Sequence, residues 1–443
     1  MKKYPLWIVV LAAVSCGNES QGGNADQGPG SDTVQDADGS VANETAGQDG
    51  MQAGSIRWSF QLASGPGGQE AADQALAVGE DDTVYAMARP FGGGARLYAI
   101  GSDGIQKWVF EGLPQEWDVG CAGVVLSNST NTLYVPCSDH DGDQVVGRVF
   151  AVSTAGVLRW TFDLPAGDLP VEAALWSHGT PPVDTLYLTT EIPQPAPTKP
   201  LFLYSIESNG QAGPELEGDK GFLGLAVDDA SNVYTTTPDG NLLGLDSSLA
   251  QKWTLGLSKG TPNGVLAVGP DGALYVGVTA PSGLVAVVFD STKGNLVEKW
   301  FFPSDSAVAQ PSFAPDGSIL VVDMIRGLLA LDPADGTQRW SESGSASSLY
   351  QSAVGADGSV YYTLDYALSG RNPQGAEMFV NTSIRSTNPP AIGSDGTVFA
   401  AGLCGDASQS NDCIFAIQGS TPPAPGWFRG TGGNGNTRWA GHP

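Results

Sequence analysis

Three carboxylates stand at alternate positions in one short run, Asp139-His140-Asp141-Gly142-Asp143. A run of this spacing could wrap a hard cation such as Ca²⁺, which takes carboxylate and carbonyl oxygens. It lacks the glutamate that completes a twelve-residue calcium loop, and its plainer reading is a solvated turn between strands. The histidines are His140, His178 and His442. Neither His140 nor His178 neighbours a nucleophile motif from which a serine–histidine–acid arrangement could be built, so both read as loop histidines. The five cysteines are Cys16, Cys121, Cys137, Cys404 and Cys413. In an exported chain an odd count leaves one over. The last four lie as two local pairs, Cys121 with Cys137 and Cys404 with Cys413, as expected of disulfides formed after export.

The elements that hold these residues repeat. A tight turn followed by a strand ending in an aromatic occurs as DDTVY (81–85), NTLY (131–134), DTLY (184–187) and SNVY (231–234). It returns as DGALY (271–275), DGSVY (357–361) and DGTVF (395–399), and with leucine at its end as DGSIL (316–320). The spacing is about 45 residues, in the range of propeller blades. Seven units add a second apolar strand such as LYAI (97–100) or LLAL (328–331). Five then carry a basic residue and tryptophan: Lys107-Trp108, Arg159-Trp160, Lys252-Trp253, Lys299-Trp300 and Arg339-Trp340. One such unit cannot bury both of its faces, whereas a ring of them can. The spacing predicts an all-β, eight-bladed propeller of four-stranded antiparallel blades. The pair Arg57-Trp58 precedes the first blade, so residues 56–62 are expected to supply the outer strand of the last blade and close the ring. Blade 3 lacks its tryptophan near residues 211–218 and blade 7 near 377–383. Trp117 and Trp176 fall outside the repeat register and are candidate ligand-binding residues.

Lys2 and Lys3 precede an apolar stretch, 6–14, too short to span a bilayer, as in a signal peptide. Ala13-Val14-Ser15-Cys16 resembles a bacterial lipobox, with Ala13 where leucine is usual; an Ala-x-Ser ending also suits ordinary signal peptidase. The resemblance implies cleavage before Cys16 and its acylation. Residues 17–54 contain seven acids, no Lys or Arg and no aromatic, a composition that cannot bury enough surface to fold. They are read as a linker with a reach of roughly 35 Å. The domains are thus 1–16, signal peptide; 17–54, linker; 55–443, propeller.

The formal charge is −27. Without leader and linker, 55–443 still holds 18 basic and 40 acidic residues. Such a field repels nucleic acid and anionic lipid surfaces.

The repeat resembles the pyrroloquinoline quinone-like β-propeller repeat family, on the segments from Leu97 to Trp108, Val149 to Trp160 and Leu328 to Trp340 and on a tail with Trp427-Phe428-Arg429-Gly430 and Asn436-Thr437-Arg438. The resemblance covers about 56–443. It implies the fold and not the quinone, which many members lack. Quinone-dependent members carry an adjacent-cysteine disulfide and often a haem-attachment motif; neither is in this sequence. In outline the chain also resembles the propeller lipoprotein of the outer-membrane β-barrel assembly machinery.

These readings lead to an exported, lipid-anchored, non-catalytic propeller of the cell envelope, with no cofactor expected and bound to the membrane through its lipid alone. The alternatives are a quinone-dependent dehydrogenase or a carbohydrate-active or sugar-binding propeller. Envelope proteins or a small ligand are expected on one face. There the loops between second and third strands are long in blade 1 (88–95), blade 2 (138–147), blade 3 (191–200) and blade 8 (402–412), and short in blades 4 and 6.

Overall fold

Each short apolar run ends in a turn that reverses the chain, and the runs pair with their sequence neighbours into eight antiparallel sheets set around an axis. The computed structural model describes residues 40–41, 51–62, 70–72, 75–90, 94–115, 120–141, 144–191, 201–342, 351–386, 388–404 and 412–424.

Strands run from the axis outward in each blade. Blade 1 is Ala77–Val78, Val84–Pro90, Arg96–Ile100 and Gln106–Phe110. Blade 2 is Val125–Ser127, Thr132–Asp141, Gln144–Ser153 and Leu158–Asp163. Blade 3 is Leu169–His178, Val183–Glu191, Leu201–Glu207 and Ala212–Gly218. Blade 4 is Leu223–Val227, Val233–Thr236, Asn241–Leu245 and Gln251–Gly256. Blade 5 is Thr261–Val268, Leu274–Thr279, Gly283–Asp290 and Asn295–Pro303. Blade 6 is Ser312–Phe313, Ile319–Asp323, Gly327–Leu331 and Gln338–Ser341. Blade 7 is Ala353–Val354, Val360–Leu364, Ala367–Arg371 and Glu377–Asn381. Blade 8 is Ala391–Ile392, Val398–Leu403, Asp412–Ile417 and then Ile56–Gln61, so the first full strand of the chain closes the ring.

The repeat motif becomes one row of side chains across each blade. In blade 1, Tyr85 pairs with Ala99, which pairs with Trp108. A small residue in the third strand lets the outer ring lie across the sheet onto the inner one. Tyr85 and Trp108 stand 5.9 Å apart by ring centroid, Tyr134 and Trp160 5.8 Å, and Tyr275 and Trp300 5.8 Å. Phe399 meets Trp58 at 5.9 Å, and in blade 7 Phe379 takes the place of the missing tryptophan, 6.2 Å from Tyr361. Aromatic pairs at these separations add to the burial of the rings themselves.

A β-bulge between the third and fourth strands makes the basic residue functional in the fold. In blade 1, Ala99 faces Trp108 but Ile100 faces Gln106, leaving Lys107 as the extra residue. The bulge aims it back at the first turn, where Nζ reaches Asp81 Oδ2 at 2.9 Å and Thr83 Oγ1 at 2.6 Å. Arg57, Arg159, Lys252 and Arg339 do likewise, while Lys299 bonds the Pro333 carbonyl of blade 6.

The tryptophan that follows reaches the next blade. Trp108 Nε1 donates to Thr154 O at 3.0 Å, and a Cβ on Gly156 would lie 2.8 Å from the Trp108 ring. Gly156 has φ +80°, a conformation glycine adopts without strain. Blade 3 has Pro214 at the tryptophan position, and here the receiving turn of blade 4 has Leu249 instead of glycine. Leu249 keeps φ +62° and fills the space itself, 3 % exposed in the cluster with Tyr187 and Leu245.

Two boundaries differ from the sequence reading. Order begins before residue 55: Gly54 N donates to Gln418 O at 2.8 Å and receives the Phe379 ring of blade 7. Within the segment read as an unstructured linker, Ser40–Val41 pairs with the outer edge of Ile56–Gln61. The rest of the leader and linker, Cys16 included, lies outside the described residues. No helix among the described residues is long and apolar enough to cross a membrane.

Candidate binding face

Successive turns of an up-and-down blade fall on opposite sides, so the ring has two unlike faces. One carries the tight turns between first and second and between third and fourth strands. The other carries the connections between second and third strands and those between blades.

On the second face the blades are unequal. Strands adjoining it in blades 2 and 3 run to nine or ten residues, Thr132–Asp141, Gln144–Ser153, Leu169–His178 and Val183–Glu191. In blade 4 the second strand, Val233–Thr236, has four. The blade 2 segment read as a loop from Ser138 to Gly147 is instead a projecting hairpin, with pairing carried out to Asp141 and Gln144. A polar composition does not by itself stop pairing. The loop tips at 91–93, 142–143, 192–200 and 405–411 lie outside the described residues, as does Trp117.

Both disulfides lie on this face and in this sector. Cys121–Cys137 ties the connection entering blade 2 to its second strand, and Cys404–Cys413 ties the mouth of the blade 8 loop. The Cys137 side of the first bridge is fully buried and packs with Leu133 and Val135.

Asp139 forms an ion pair with Arg148 across the hairpin, and Arg148 also bonds Asp163 of the outer strand at 3.1 Å. Of the expected cation ligands, only Asp139 has a described side chain. Asp141 is described as strand backbone alone, and Asp143 lies outside the described residues. Among the described residues no group of three or more His, Cys, Asp and Glu is placed to hold a metal.

Trp176 lies on the innermost strand of blade 3, toward the turn-bearing face, away from the loops. Its ring stacks on His178, two residues along the same strand face, at 3.8 Å between centroids and 10° between planes. It packs against the blade 3–blade 4 cluster. His178 therefore belongs to a strand end rather than to a loop.

Burial between blades is secured by a polar knot that sequence reasoning missed. The Asp184 carboxylate, 1 % exposed, accepts from Ser127 Oγ at 2.9 Å, Tyr134 OH at 2.7 Å and Ser177 Oγ at 2.5 Å. Burial first, then the Asp184 charge, pushes the Tyr134 hydroxyl far above its ordinary value. On the loop face burial raises the Glu191 carboxyl.

The turn-bearing face has a cleft of ≈ 290 Å³ between blades 6 and 7, lined by Asp316, Leu320, Trp340, Asp357, Gly358 and Pro373 among others. Its signal in the sequence was the one repeat, DGSIL, that ends in an aliphatic residue.

No family model matches the chain, and no curated protein matches it. Among solved structures it is similar to BamB from Moraxella catarrhalis, with 15 % identity and a TM-score of 0.53 over 82 % of this chain and 97 % of that one. It is similar to the computationally designed Ika8 protein, with 12 % identity and a TM-score of 0.55 over 81 % and 99 %. The C-terminal WD40 domain of Sif2 gives 12 % identity and a TM-score of 0.57 over 79 % and 98 %. At such identities the likeness is one of fold, and the fold is the β-propeller.

Proposed function

We propose that the chain is an exported propeller, anchored by an acylated Cys16, that binds other proteins of the cell envelope without catalysis. The observation that supports this most is the projecting hairpin of blade 2 together with two disulfides, in blades 2 and 8, on one face of the ring. Loops and hairpins on a rigid ring are the usual place for recognition. The likeness to BamB agrees with a scaffold role at the level of fold. The net charge disfavours nucleic acid as a partner. The reading needs no cofactor.

The test is to cut the blade 2 hairpin back to a short turn beyond Gly147, replace residues 192–200 of blade 3 by a short linker, and exchange Trp117→Ala. Partners recovered from the native envelope should be lost together in these variants. They should persist when residues of the turn-bearing face, such as Lys107 and Arg159, are replaced. The reverse pattern would exclude this sector as the site.

A further inference from the structure

We propose that the cleft between blades 6 and 7 binds a small organic cation with one aromatic ring, the ring against Trp340 and the ammonium on Asp357.

The cleft exists because one repeat lacks its ring. In blade 5 the row across the sheet is Tyr275, Ala286, Trp300, and in blade 8 it is Phe399, Ala416, Trp58. In blade 6 the same row is Leu320, Ala330, Trp340. Leu320 is buried, but a leucine does not extend across Ala330 to the indole as a tyrosine does. The space left is ≈ 290 Å³. An apolar cavity of about 150 Å³ already holds benzene, and ligand pockets begin near about 300 Å³, so one ring with a short chain fits.

A second exception in the neighbouring repeat supplies the charge. Met378 is the bulge residue of blade 7, where most blades have lysine or arginine. Asp357 in the first turn of blade 7 therefore has no cationic partner among the described residues, whereas Asp81 and Asp395 pair with Lys107 and Arg57. Its carboxylate is oriented by Ser359 N at 2.9 Å, Ser359 Oγ at 2.9 Å and Thr421 Oγ1 at 2.9 Å. Arg339, whose partner Asp316 lines the cleft, is shared between Asp316 at 3.4 Å and Asp332 at 3.0 Å. The cleft is thus aromatic on one wall and net negative at its rim, in a chain of formal charge −27. A cation over an indole and beside a carboxylate is attracted by both.

Three of the repeat tyrosines point their hydroxyls at turns of the next blade: Tyr134 at Asp184, and Tyr187 and Tyr361 at Ser247 and Ser420, beyond the third strand. A ring filling the blade 6 cleft would send its substituent toward the turns of blade 7, where Asp357 and Pro373 line the cleft.

The experiment titrates the full-length mature protein with 2-phenylethylamine by calorimetry, beside 2-phenylethanol, butylamine and 3-phenylpropionate. The expected result is saturable binding of 2-phenylethylamine, at least tenfold tighter than any of the three. Leu320→Tyr, which restores the ring that other blades have, should abolish binding and keep the melting temperature of the parent or raise it. Asp357→Asn should bring the affinity for the amine down to that for the alcohol. No saturable binding in the millimolar range, equal affinity for amine and alcohol, or binding retained in a folded Leu320→Tyr protein would each overturn the proposal.

Discussion

Gly156 and Leu249 occupy the same turn position in blades 2 and 4, and one tryptophan accounts for the difference. Trp108 lies against Gly156, so Gly156→Ala would place a Cβ 2.8 Å from the ring at φ +80°. The expected cost is roughly 1–3 kcal/mol. Blade 3 has Pro214 in place of that tryptophan and Leu249 fills the space, so Leu249→Gly relieves strain but empties a buried site, for an expected net loss of roughly 1–4 kcal/mol. Urea midpoints would check both; a neutral Gly156→Ala would contradict the docking of Trp108. Carboxylates act at this scale too. Burial alone would raise Asp323 and Asp395; hydrogen bonds outweigh it, from Ser304, Arg326 and Ile325 to Asp323 and from Thr397 and Arg57 to Asp395, so both lie below the ordinary 3.8. A depressed folded pKa gives stability that is present above the unfolded value and is lost as pH falls through the folded one. Glu191, at an exposed strand end, and the half-buried Glu342 have the opposite sign, since partial desolvation raises them. The urea midpoint should hold or rise slightly from neutrality to about pH 5 and fall steeply below about pH 4. Asp323→Asn should flatten the acid limb, and a midpoint still rising at pH 3 would contradict this assignment.

At the scale of elements, the closing strand has the clearest consequence. Ile56–Gln61 covers the edge of Asp412–Ile417 and brings Phe60 and Leu62, 2 % and 1 % exposed, into the core between blades 8 and 1. A chain lacking residues 51–62 should melt well below the parent and self-associate through the bared edge. A monomeric truncated chain with the parent melting temperature would show that the ring does not depend on this strand. This strand was legible because Arg57-Trp58 carries the same bulge signature as the other outer strands. The blades were legible for a similar reason: a turn, an aromatic and a small residue recur at one spacing. The length of the blade 2 hairpin was not, because pairing beyond Ser138 depends on two polar strands meeting in space. Nor was the added strand Ser40–Val41, which answers to an edge formed by residues from both ends of the chain. The blade 6 cleft was half legible. The leucine that ends DGSIL is visible in the sequence, but its meaning needed the register that sets Leu320 in line with Trp340, and a missing charge one repeat further on.

For the whole molecule, the ring sets two unlike faces back to back. The turn-bearing face repeats with little variation, while on the loop-bearing face long strands extend in blades 2 and 3 and the connections stay short in blades 4 and 6, where they are only Thr237–Gly240 and residues 324–326. An anchor at Cys16 would tether such a ring near a membrane and leave recognition to one arc. Photo-cross-linking in the native envelope, with one reactive side chain at a time around both faces, tests this most directly. The account expects adducts to one set of proteins from residues 92, 117, 142, 196 and 408, and none from residues 105, 157, 238 and 325. Adducts confined to the turn-bearing face, or spread evenly around the ring, would contradict it.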